Sequence, residues 1–122
     1  MDGGRDIMPK LVLLVTREGL GKFDPAERQF GVAMFDRFLH AMESQPIKPD
    51  AICFYTEGVK LLRESSPAAL GLKLLEGMGI RLVACRTCIE HFQLTDKICV
   101  GEICGMDDIV SLLLSAERVV TI

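Results

Sequence analysis

The feature that most restricts the fold is a series of short, unbroken apolar runs separated by stretches of helical periodicity. Leu11-Val12-Leu13-Leu14-Val15, within Lys10 to Thr16, offers no polar residue to either side of a strand. Such a strand must be covered on both faces, which is the situation of a central strand in a parallel sheet. Asp50 to Thr56, Ile80 to Ala84, Lys97 to Gly101 and Arg118 to Ile122 repeat the pattern at strand length. No tight-hairpin signal joins any two of them, so the expectation is a layered, parallel α/β domain with right-handed crossovers.

The intervening segments supply the crossovers. Asp24-Pro25-Ala26-Glu27 offers an N-cap, a first-turn proline and a capping-box glutamate, so a helix is expected from here to about residue 43. Phe30, Met34, Phe38 and Met42, widened by Ala33, Phe35 and Leu39, form its expected core stripe. Ser66-Pro67 opens a second helix that Gly77 and Gly79 end. A short helix is expected from about Cys88 to Phe92, and another through Ile109, Leu112, Leu113 and Leu114. Residues 1–8, rich in glycine and charge, read as a loose leader, and 9–122 as a single domain.

Charge narrows the function. A net charge of −3 gives no basic field for a phosphate backbone, which argues against nucleic-acid binding. No apolar segment reaches the roughly 20 residues that cross a bilayer, and the first residues lack the regions of a secretory signal. A cytoplasmic protein with reduced thiols is expected. The high apolar fraction, 49%, fits a sheet covered on both faces, and equally an apolar patch closed by self-association.

Chemistry concentrates at Cys85-Arg86-Thr87-Cys88. If Ile80 to Ala84 is a strand, both thiols sit where it ends, outside the carboxyl edge of the sheet where ligands collect in open α/β folds. A helix start there and the charge of Arg86 would lower a thiol pKa. The glycine-rich stretch Arg17 to Phe23, after the first strand, does not fit a phosphate loop. The dinucleotide fingerprint needs a glycine where Asp24 stands, and the P-loop needs Ser or Thr where Phe23 stands. It reads instead as a flexible loop on the crevice rim, together with Glu57 to Lys60. Arg17, Glu57, Gly58, Arg86 and His91 are the expected rim residues, and no cofactor is required.

Four readings follow from these residues. Cys85 or Cys88 could carry sulfur as a persulfide. Cys85, Cys88 and His91, completed by Cys99 or Cys104, could form a zinc site. The Cys-x-x-Cys pair could exchange disulfides, although Cys-Arg-Thr-Cys lacks the aromatic and proline residues of a thioredoxin motif. Lastly, the absence of a readable acid/base constellation leaves a noncatalytic binding or regulatory module open.

Phe54-Tyr55-Thr56-Glu57-Gly58-Val59-Lys60-Leu61, Cys85-Arg86-Thr87-Cys88-Ile89, Val100-Gly101-Glu102 and Val119-Val120-Thr121-Ile122 together carry a family resemblance. From Leu11 to Ile122 the chain resembles the DsrE/DsrF-like family, most closely the C-terminal domain of YedF-type proteins, which are described as sulfurtransferase-like and linked to selenium metabolism. The resemblance implies a three-layer α/β/α domain with a five-stranded parallel sheet, assembled as a dimer, trimer or hexamer. It also implies sulfur, or selenium, carried on the cysteine matching Cys85, with Cys88 as the added thiol of the YedF-type domains. Those proteins carry a TusA-like domain that this sequence does not contain. A separate TusA-like carrier, or a cysteine desulfurase, is therefore the expected partner.

Overall fold

In the computed structural model, which describes residues 9–122, the first apolar run becomes strand β1 (Leu11–Val15). It is joined by β2 (Ala51–Phe54), β3 (Arg81–Cys85), β4 (Glu102–Cys104) and β5 (Arg118–Thr121) in one sheet of order β4-β3-β2-β1-β5. Every neighbouring pair is parallel. The expected leader, residues 1–8, lies outside the described residues.

Register explains why the strands must be apolar throughout. Leu13 pairs with Ile52 and Ile52 with Leu82, while Leu14 pairs with Cys53 and Cys53 with Val83. Successive side chains point to opposite faces, so the first row enters one core with Val15, Phe54 and Ala84. The second row enters another with Val12, Ala51 and Cys85.

Helices α1 (Arg28–Glu43), α2 (Ala69–Gly77) and α3 (Arg86–His91) pack on the first face through Phe35, Leu39, Leu72, Leu75 and Ile89. Each of these side chains stabilises the fold by about 1.5–3 kcal/mol on burial. Helix α4 (Met106–Ser115) lies on the other face, where Ile109 is fully buried and Leu112 and Leu113 pack beside it. The chain steps from β1 outward to β4, then returns past β1 to β5. Reversing the direction of a right-handed crossover moves its helix to the opposite face, and three layers result.

Several local expectations are corrected. Pro25–Glu27 is a 3-10 turn in which Asp24 makes no side-chain cap, and α1 begins at Arg28. Its buried stripe is Gly31, Val32, Phe35, Leu39 and Met42, whereas Phe30 is 64% exposed. Steps of four overshoot a full turn by about 40° each at 3.6 residues per turn, so a strict four-residue repeat drifts off the core face. The fourth strand is not Lys97 to Gly101. There Glu64 N–H donates to the Lys97 carbonyl and Cys99 N–H to the Leu62 carbonyl, which ties that segment to the end of a 3-10 helix over Thr56–Leu62. After Gly101, at φ 89°, the chain re-enters the sheet as β4. Among the described residues no helix is long and apolar enough to cross a membrane.

Candidate functional site

Strand β3 passes into α3 with no intervening loop, so Cys85 is both the last strand residue and the helix N-cap, and Cys88 falls in the first turn. This separates the two thiols. Cys85 is 1% exposed in the second core, and Cys104 stands opposite it on β4. Cys88 is half-buried and touches both cores. Of the two thiols expected to open onto the crevice, Cys85 is sealed in the core and Cys88 is partly exposed.

The backbone N–H of Thr56 donates to Cys88 Sγ at 3.0 Å. Thr56 takes φ 50°, an outlier for a β-branched residue. Its hydroxyl stands 2.7 Å from the Thr16 carbonyl oxygen and 2.7 Å from that of Tyr55, so its proton has an acceptor on the end of β1. The loops after β1 and β2 are thereby tied together beside the thiol.

Burial pushes the Cys88 thiol up, the Thr56 N–H opposes this, and the neighbouring Cys85 thiol adds to the rise, so the net value lies above the ordinary one. The expected lowering by a helix start and Arg86 is not found. Helix α3 is only 6 residues long. The Arg86 guanidinium is turned to the Ile103 carbonyl, to which its Nη2 donates at 3.2 Å. Cys53, sealed under the second face, is pushed up to about 11 by burial.

The other expected rim residues divide. Arg17 and Glu57 line one cavity of about 240 Å³ at the carboxyl ends of β1 and β2. Gly58 is buried rather than on the rim, because its Cα packs so close to the Val15 carbonyl that a Cβ would collide with it. His91 is exposed outside that cavity, and its ring meets the Phe92 ring edge-on with centroids 4.8 Å apart.

Glu18 is the residue that sequence reasoning passes over. It is 6% exposed, and its two oxygens receive Arg28 Nε at 2.8 Å, Arg28 Nη2 at 2.7 Å and Arg63 Nη2 at 2.8 Å. Burial pushes its carboxyl up, but Arg28, Arg63 and Lys60 together outweigh this and hold it below the usual carboxylate value. A single acid in a loop carries no local signal that bases 10 and 45 residues away will converge on it.

The zinc reading does not fit this geometry. Cys99 packs against the first core with its thiol 3.6 Å from the Leu62 carbonyl oxygen, while Cys104 sits on the second. Among the described residues no three His, Cys, Asp or Glu side chains stand close enough to hold a metal ion.

Comparison with known proteins agrees with this architecture. A protein of unknown function, MTH1491 from Methanobacterium thermoautotrophicum, superposes with a TM-score of 0.64 at 16% identity, over 93% of this chain and 98% of its own. The ychN protein of E. coli superposes with a TM-score of 0.63 at 19% identity, over 94% and 100%. No curated protein matches. The findings reach the family and its fold, and not the narrower YedF-type group. The family model described as "DsrE/DsrF-like family" matches residues 24–122, most of the chain and all of the sheet beyond β1, and the chain therefore belongs to the DsrE/DsrF-like family.

Proposed function

We propose that the protein carries sulfur as a persulfide on Cys88, receiving it from a donor persulfide and passing it to an acceptor thiol. The Thr56 N–H pointed at Cys88 Sγ is the observation that carries this reading, since a backbone donor favours the thiolate that attacks. In the step, the Cys88 thiolate attacks the outer sulfur of a donor enzyme's persulfide. The new S–S bond forms as the donor's S–S bond breaks, and the donor cysteine leaves as a thiolate. No net oxidation occurs and no cofactor enters.

Cys85, buried beside Cys88, serves here as a neighbour that tunes the thiol and not as the attacking group, which departs from the role implied for its position by the family resemblance. A cysteine desulfurase as donor, a TusA-like carrier as partner, self-assembly into a dimer, trimer or hexamer, and a reducing cytoplasmic setting all belong to this proposal, as does selenium in place of sulfur.

The test is sulfur transfer from a cysteine desulfurase supplied with labelled cysteine. Label should bind the reduced parent protein and be lost in Cys88→Ser but retained in Cys85→Ala. Equal labelling of parent and Cys88→Ser would exclude this thiol.

A further inference from the structure

The cavity beneath Arg17 is a second feature, and its chemistry is independent of the thiols. Although the whole chain has a net charge of −3, this cavity gathers Arg17, Arg28, Lys60 and Arg63 against only two carboxylates, Glu18 and Glu57. Both carboxylates are already engaged, Glu18 with Arg28 and Arg63 and Glu57 with Lys60 at 3.5 Å. The donors are not exhausted. A guanidinium has five N–H groups; Arg28 reaches Glu18 through Nε and Nη2, leaving Nη1, and Arg63 does so through Nη2 alone. Arg63 Nε, without a hydrogen-bond partner among the described residues, is shut off from solvent and is not one of the donors open to the cavity.

The walls are held in place. Glu18 links the start of α1 to the end of the Thr56–Leu62 segment, so two guanidinium groups are fixed before any ligand arrives. The loop after β1, expected to be flexible, is pinned by Leu20 N–H donating to the Gly31 carbonyl at 2.9 Å. The Phe23 ring packs on Gly31 where any Cβ would collide with it. Phe23 and Pro25 then supply an apolar wall. The free space, about 240 Å³, equals that of about eight water molecules and is smaller than the pockets that take drug-sized ligands.

We propose that this cavity binds a small organic anion, with a carboxylate or phosphate head on the guanidinium and ammonium groups and a short apolar body against Phe23 and Pro25. Arg and Lys side chains of fixed position are suited to an oxyanion. The cavity neighbours the thiol through two sequence steps, Thr56 to Glu57 and Thr16 to Arg17. Binding here does not require sulfur chemistry at Cys88.

Calorimetric titration of the full chain with butyrate and, separately, with propyl phosphate tests this. Saturable binding of at least one is expected, and which of the two binds tells a carboxylate from a phosphate head. Arg17→Gln with Lys60→Gln should weaken binding at least tenfold, while Cys88→Ser leaves it unchanged. Circular dichroism checks that the double variant folds; should it not, exposed Arg17→Gln alone is expected to weaken binding severalfold. The proposal is overturned if neither anion binds at millimolar concentration, if the folded variants bind like the parent, or if physiological salt abolishes binding of both equally. Because the readout is binding and Cys88→Ser is included, its failure is separate from any failure of sulfur transfer.

Discussion

Thr56 shows how much of this site depends on a single backbone setting. A β-branched residue at φ 50° costs on the order of 1–3 kcal/mol, and the hydroxyl bonded to Thr16 helps to hold it there. Thr56→Val keeps the shape and removes that hydroxyl. It should lower stability by about 1 kcal/mol in urea unfolding and let the N–H drift from Cys88. Because that N–H is what restrains the rise of the Cys88 pKa, alkylation of Cys88 by iodoacetamide should require a higher pH in the variant than in the parent. In the parent the rate should already rise with an inflection above the roughly 8.5 of a free thiol; an inflection well below that would contradict the balance of burial over hydrogen bonding. The thiol pair was legible from its position after an apolar run. Thr56 was not, since nothing in Tyr-Thr-Glu announces a left-handed residue.

Among the elements, the direct passage from β3 to α3 decides which cysteine is reachable. Had a loop intervened, Cys85 would be free to turn outward; as the last strand residue it must follow the alternation of Val83 into the second core. Gly58 closes the other side, and Gly58→Ala should either unfold the protein or displace the Thr56–Leu62 segment from the Val15 carbonyl, visible as loss of persulfide formation. Asp50 provides the contrast. Its carboxylate receives the backbone N–H groups of Lys10 and Leu11 at 2.7 and 3.1 Å, at the opposite ends of the strands from Cys88. Asp50→Ala should cost about 1–2 kcal/mol in urea unfolding and leave sulfur transfer intact. The strands were legible because a strand buried on both faces tolerates no polar residue. The first helix start and the fourth strand were not, because a capping motif and a short apolar run each have a rival use, here a 3-10 turn and a tie to Leu62 and Glu64.

At the scale of the whole molecule, the two faces of the sheet are covered unequally. Three helices cover one, while α4 alone covers the other and leaves Leu114 83% exposed, with Met106, Val110 and Val119 also exposed. Self-assembly over this face belongs to the proposed function, and Leu114→Glu should shift the molecular mass measured by light scattering toward the monomer. The Glu18 cluster sets the acid limit of the fold. A carboxyl held below its ordinary value contributes stability that is fully present above about pH 4.3 and is lost as the pH falls through the lower folded value. Glu18→Ala should therefore cost on the order of 2–3 kcal/mol at neutral pH, with the gap to the parent closing below about pH 4. The layered, parallel α/β fold followed from the spacing of apolar runs, but a charge cluster drawn from three separate segments exists only once the fold has formed.

The central claim is that Cys88, not Cys85, is the thiol that takes up sulfur, and peptide mass spectrometry after exposure to a cysteine desulfurase and cysteine measures this directly. One added sulfur atom on Cys88 is the predicted result. Sulfur found on Cys85, or on neither cysteine while the donor is demonstrably charged, would contradict it.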